Sequence, residues 1–187
     1  MSRQLEIIDT ALAGLNVVQR RPIVDARGYL ERMYCATELA SLTGGRTIAQ
    51  VNHTLTSRRG VVRGMHFQHP PHAETKLVSC LRGAVFDVAV DIRAGSASLL
   101  RWHGQVLSAD NHLSLLIPAG FAHGFQTLSE DVELLYLHTA AYAPQAEGAL
   151  NACDPALAIA WPEPITEQSE RDRAHPLLVA GFGGIRT

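Results

Sequence analysis

Lysine is almost missing from this chain. Of sixteen basic residues fifteen are arginine, and the single lysine is Lys76. A chain that uses Arg almost everywhere else and Lys here suggests a site that needs a compact point charge rather than a planar fork; a surface lysine that escaped the bias is the plain alternative. Cysteine is scarce too. Cys35, Cys80 and Cys153 are odd in number and far apart, with no CxxC or zinc-like spacing, so neither a disulfide framework nor a structural zinc is expected. They read as reduced thiols of a cytoplasmic protein, Cys80 and Cys153 as small core or near-core residues. Charge of one sign is also lacking. The net charge is −2, so no basic field recruits nucleic acid or an acidic membrane. No apolar run reaches membrane-span length. The opening Met-Ser-Arg-Gln-Leu-Glu-Ile-Ile-Asp carries acids and lacks a signal peptide's apolar core. Linkers and repeats are missing as well, so residues 1–187 are expected to form one domain, long enough for a full core.

What is present is a succession of short apolar runs punctuated by Gly and Pro. Residues 5–24 hold two short edge-like strands, 25–28 a turn, and 29–35 a resumed strand. Residues 37–42, stopped by Gly44-Gly45, read as the one good helix of the first half. Strands follow at 47–56, 76–81, 84–92, 102–107, 113–117 and 132–139, with a tight turn at 118–120. In 84–92, Phe86, Val88, Val90 and Ile92 share one face and Val85, Asp87, Ala89 and Asp91 the other. Two acids on one strand face are either exposed or line a polar cavity, and exposure is the commoner case. Residues 147–162 read as mostly irregular, and 166–172 as a short helix capped by Thr166. The whole is expected to be all-β, a sandwich or small barrel of the jelly-roll kind with a few short helices.

Two segments carry the chemistry. Residues 60–76 place Arg63, His66 and Lys76 around a turn-forming His-Pro-Pro-His. In an unbroken strand Arg63 and His66, three apart, point to opposite faces. Both can line one site only if the strand bends, and Gly64 is the natural place. The second segment, Pro118-Ala-Gly-Phe-Ala-His123, resembles the second motif of the cupin superfamily. Together with Arg63-Gly-Met-His66-Phe-Gln, Lys76-Leu-Val, Phe86-Asp-Val-Ala-Val-Asp-Ile-Arg93 and the Asp-Pro…Trp161-Pro162 tail, it resembles the dTDP-4-dehydrorhamnose 3,5-epimerase family over residues 7–176.

The resemblance implies a cupin jelly-roll homodimer with strand exchange that epimerises a dTDP-4-keto-6-deoxyhexose at C3, C5 or both, without metal or nicotinamide cofactor. Protons on carbons flanking a carbonyl are acidic. Their inversion needs a base, an opposing acid and a positive group at the enolate oxygen. By resemblance His66 is the base, Tyr136 the acid and Lys76 the enolate stabiliser. Asp172 of Ser169-Glu-Arg-Asp172 orients the base, with Asp87 in reserve. Arg63 and His123 match sugar or phosphate contacts, Tyr142 the aromatic that stacks on thymine, and Gln50, Asn52, Glu147 and Arg171 further nucleotide contacts, Arg171 standing where Lys is usual. Arg27, with Glu31, is implied to come from the neighbouring subunit. The sequence departs from the family pattern at four places. The 27–31 spacing is one residue short, as is the tail after Trp161-Pro162; Glu74-Thr75 replaces Gln-Gly, and Ala152-Cys153 an aromatic-Asn pair.

Two other readings compete. A metal-dependent cupin, an oxygenase or sugar isomerase, could draw ligands from His66, His69 or His72, Glu74 and His123, although the residue two after His66 is Gln68 rather than the His of a His-x-His pair. A non-catalytic sugar-nucleotide binding module would use the same cavity without a base. Six other histidines, His53, His69, His72, His103, His112 and His175, read as solvated surface residues.

Overall fold

The computed structural model describes residues 4–186. Its strands in chain order are β1 (Leu5–Asp9), β2 (Asn16–Arg20), β3 (Ile23–Asp25), β4 (Gly28–Leu30), β5 (Gln50–Thr56), β6 (Val62–Gln68), β7 (Lys76–Arg82), β8 (Ala84–Asp91), β9 (Trp102–Ser108), β10 (Leu113–Ile117), β11 (Phe121–Thr127), β12 (Val132–His138) and β13 (Glu147–Ala149). Two one-turn helices, α1 (Ala40–Thr43) and α2 (Glu170–Ala174), and a 3-10 turn at Pro144–Ala146 accompany them. Six strands form one antiparallel sheet in the order β1-β2-β10-β7-β12-β5, and five a second in the order β13-β6-β11-β8-β9. The β3–β4 hairpin stands apart from both. This is the expected all-β jelly roll.

Side-chain alternation builds the layers. From the first sheet, Val17, Val78, Leu115 and Leu134 meet Val85, Ala89, Phe121 and Phe125 of the second in the inter-sheet core. The opposite faces are covered separately. Leu77, Leu116 and Leu137 pack under Leu39, beside α1. Val62, Val88, Val90 and Ala122 pack under the C-terminal segment, through Leu150, Leu157 and Trp161. Each fully buried side chain of this kind contributes about 1.5–3 kcal/mol. The tail is thus held by the sheet it covers, which matters because it carries Asp172.

Several sequence expectations change. Residues 31–35 do not continue the strand, which ends at Leu30, because Glu31 turns back to pair with Arg20 and His112. The first helix begins only at Ala40, after a turn at 36–39. The second is capped by Ser169 rather than Thr166: the Ser169 Oγ accepts the Asp172 N–H at 3.0 Å. Asp87 and Asp91 are both fully buried, not exposed, each held by dedicated donors. Residues 121–127 form β11, a central strand unmarked by alternation because all seven residues are buried. Cys80 is buried and its thiol pushed up to about 11, chiefly by burial. Cys153 is exposed, not near-core. His72, His103, His112 and His175 are partly buried rather than solvated.

Candidate active site

One end of the sandwich opens into a cavity of about 370 Å³, its walls drawn from both sheets. β6 supplies Arg63, His66 and Gln68; β7 supplies Lys76; β12 supplies Tyr136 and His138; β5 supplies Gln50 and Asn52; β11 supplies His123. Tyr142 and Glu147 close the rim. Register sets these rows. Lys76 and Gln50 lie directly opposite His138, and Asn52 opposite Tyr136.

Arg63 and His66 share the cavity because β6 does bend. The β6–β11 ladder shifts register between His123 and Phe125, and Gly64 has a φ of 135°, which side chains with a Cβ rarely adopt. A Cβ there would sit 2.5 Å from the Gly124 Cα. Two glycines in contact let the strands approach as the bend requires.

His66 and Asp172 form a pair, Nε2 to Oδ1 at 2.9 Å. Asp172 is buried and takes a further N–H from Gly64 at 3.3 Å. Burial opposes its charge, but the His66 hydrogen bond and charge, the Gly64 N–H and Ser169 outweigh burial and hold the carboxyl below its ordinary range. Asp87, the reserve partner for His66, instead holds His123, whose Nε2 lies 2.9 and 3.0 Å from the two carboxylate oxygens. The two carboxylates are therefore divided between two histidines.

Lys76 is buried, 7% exposed. Its ammonium donates to the His66 carbonyl at 3.1 Å and pairs with Glu74 at 3.2 Å. An ammonium has three donors, so one remains for a ligand. Glu74 also accepts from the Gln68 amide at 2.9 Å. Tyr136 has its pKa raised, by burial first and by the Asp87 charge second, and so keeps its proton.

At the rim, Tyr142 donates from its hydroxyl to Glu147 at 3.0 Å and from its backbone N–H to Gln50 at 2.9 Å. Arg171 grips Glu147 through two hydrogen bonds of 3.1 Å. Gln50, Asn52, Tyr142 and Glu147 thus gather with Arg63 and His123 as expected, and Arg171 buttresses them from outside. Arg27 and Glu31 do not line this chain's cavity. Arg27 is at the tip of the β3–β4 hairpin, bonded to Asp25, and Glu31 is bound to Arg20 and His112. Sequence reasoning passed over Gln68, Glu74 and His138 as members of this site. For His138 the signal was its shared face with Tyr136. Of the donors of the metal reading, His66 is paired with Asp172, Glu74 with Lys76 and Gln68, and His123 with Asp87, and among the described residues no three of His, Cys, Asp and Glu gather as a metal-holding group.

The comparisons with known proteins agree in one direction. A family model described as dTDP-4-dehydrorhamnose 3,5-epimerase matches residues 9–180. The dTDP-4-dehydrorhamnose 3,5-epimerase of Salmonella typhimurium is 43% identical over 174 residues, covering 92% of this chain and 94% of that protein. Among solved structures, a dTDP-6-deoxy-D-glucose-3,5-epimerase from Legionella pneumophila, in complex with dTDP-4-keto-L-rhamnose, superposes with a TM-score of 0.89 at 37% identity over 98% of both chains. A 3'-monoepimerase from Streptomyces bikiniensis, in complex with dTDP-quinovose, gives 0.83 at 32% identity, covering 91% of this chain and 86% of that one.

Proposed function

The chain belongs to the dTDP-4-dehydrorhamnose 3,5-epimerase family, and from that premise we propose how it works: it is a cupin-type sugar-nucleotide epimerase that inverts a dTDP-4-keto-6-deoxyhexose at C3, C5 or both, in deoxysugar (dTDP-L-rhamnose-like) biosynthesis. The observation that carries this reading is the meeting of His66, Lys76 and Tyr136 on one cavity, with His66 backed by Asp172. His66 takes the proton from a carbon beside the C4 carbonyl. Asp172 orients the imidazole and stabilises the imidazolium that forms. The spare N–H of Lys76 meets the enolate oxygen at C4, where charge develops. Tyr136, still protonated, returns a proton to the opposite face, and the configuration inverts.

Arg63 and His123 face the sugar and diphosphate, while Tyr142, with Gln50, Asn52 and Glu147, takes the nucleotide. The protein is read as one domain, cytoplasmic, working as a homodimer. The support for a dimer is the β3–β4 hairpin. Val24 is 74% and Leu30 67% exposed there, beside exposed Ile23 and Tyr29, and Arg27 at its tip is outside its own cavity. A second copy would cover the apolar hairpin and receive Arg27 at its own site, while Glu31 stays with Arg20 and His112 of its own chain. No helix among the described residues is long and apolar enough to cross a membrane.

Proton NMR of dTDP-4-keto-6-deoxyglucose with the protein in deuterium oxide tests the reading. Deuterium at C3 and C5 is expected for a double epimerase and at one carbon for a single one. No exchange at either carbon would overturn the reading and favour a binding module; stoichiometric iron, manganese or zinc in the purified protein would favour the metal-dependent alternative.

A further inference from the structure

His138 lines the cavity without a part in the chemistry above. It follows Tyr136 by two residues on β12, so both rings project from the same face. The rings lie nearly parallel, 13° apart, with centroids separated by 6.0 Å. Tyr136 also meets His123 edge-on, again at 6.0 Å and at 70°. The phenol therefore touches two imidazoles, one from its own strand and one from β11 of the other sheet.

The two are held differently. Asp87 fixes His123 through its Nε2. The Nε2 of His138 is sealed from solvent and has no hydrogen-bond partner among the described residues. No hydrogen bond at Nε2 therefore fixes this ring, and its contact with Tyr136 is one of packing. We propose that His138 is a positioning residue that holds the Tyr136 ring, by offset parallel packing, in the orientation its proton transfer needs. This rests on Tyr136 being the reprotonating acid.

The surroundings keep His138 uncharged. Burial is the main cause, the Lys76 ammonium across the strand pair the next; Glu74 opposes them and His123 adds to them, and the outcome is a pKa near 4. Gln50, opposite on β5, carries no charge. A neutral ring can pack on the phenol beside Lys76 without adding a second positive charge where the enolate oxygen must find the first.

The consequence lies in how the two proton transfers divide. A phenol that loses the His138 contact slows reprotonation from the far face but leaves abstraction by His66 intact. The enolate then more often regains solvent deuterium from His66. The test measures deuterium washed into recovered 4-keto substrate against epimer formed, in deuterium oxide. In His138→Ala that ratio should rise on the order of tenfold or more, since misplacement of a reacting group by about 1 Å costs about a hundredfold. In His138→Phe, which restores the ring, it should return close to the parent value. Tyr136→Phe is the control. If its ratio does not rise, the assignment of Tyr136 as the acid fails. If it rises while His138→Ala loses exchange and turnover in proportion, only the role of His138 is overturned. As a readout independent of activity, the His138 ring-proton NMR shift should stay flat from pH 8 to 5; a midpoint near 6.5 would overturn its placement against Lys76.

Discussion

The His66 Nε2 lies 2.9 Å from the Asp172 Oδ1 although 106 residues separate them in the chain. The tail that covers the five-stranded sheet brings the carboxylate there, and Ser169 and Gly64 fix it. The pair works only while Asp172 is charged. Its folded carboxyl is held below its ordinary range, so its contribution is complete above the unfolded value of about 3.8 and is lost as pH falls through the lower folded value. Asp172→Asn keeps the shape, and its backbone N–H still reaches Ser169. Its turnover should nevertheless fall by about 10²–10⁴ with dTDP affinity little changed. Turnover within a factor of a few of the parent would remove Asp172 from the mechanism.

Gly64 makes the opposite kind of prediction, about backbone. Any Cβ there meets the Gly124 Cα at 2.5 Å and must adopt a φ of 135°. Gly64→Ala should cost roughly 2–4 kcal/mol in unfolding free energy, from strain and overpacking together. It should also impair turnover in the protein that remains folded, since Gly64 sets both the direction of His66 and an N–H on Asp172. A variant with unchanged urea midpoint would mean that the bend is not under the constraint described.

The bend shows how far sequence reasoning reaches. Glycine between two residues that must share a site is a local signal, and it pointed to Gly64 correctly. His66, Lys76, His123 and Tyr136 were legible as cavity residues because each sits in a dense run of recognisable neighbours. What was not legible depends on tertiary partners. Asp87 and Asp91 lie on a strand whose alternation fits exposure as well as burial; Asp87 is held by His123, reached through the fold, and Asp91 by Arg93, Ser96 and Ser98 of the loop that follows its own strand. β11 has no alternation because both its faces are covered. His138 reads as one more inward position of an apolar strand until register places Lys76 and Gln50 opposite it.

Asp91 is a structural counterpart of Asp172. Its carboxylate accepts from Arg93 at 2.9 and 2.7 Å and from Ser96 and Ser98 at 2.6 Å each. Burial alone would raise its pKa, but these donors outweigh burial and lower it well below 3.8. A depressed folded value stabilises above the unfolded one and ceases to do so as pH falls through it. Asp91→Asn should therefore cost about 2–4 kcal/mol at pH 7, and the gap to the parent should narrow below pH 4. Urea unfolding at pH 7 and pH 3 measures both; a gap that stays constant or widens in acid would contradict the charge argument.

On the dimer reading, the β3–β4 hairpin takes its role from a second chain. Four apolar side chains, Ile23, Val24, Tyr29 and Leu30, are exposed on six strand residues, while Arg27 at the turn lies outside its own cavity. Two separable effects follow if a neighbour receives the hairpin. Val24→Ser with Leu30→Ser should weaken association, seen as a lower mass in sedimentation, and should raise KM because Arg27 leaves the partner's site with the hairpin. Arg27→Ala should leave the mass unchanged and still raise KM, by about 10–100-fold for the loss of a charged hydrogen bond worth about 1.5–3 kcal/mol. The order of the two effects carries the argument. Loss of mass with unaltered KM would make the hairpin an interface without a catalytic contribution. A parent protein that sediments as a monomer and turns over at full rate would show that Arg27 serves no second site.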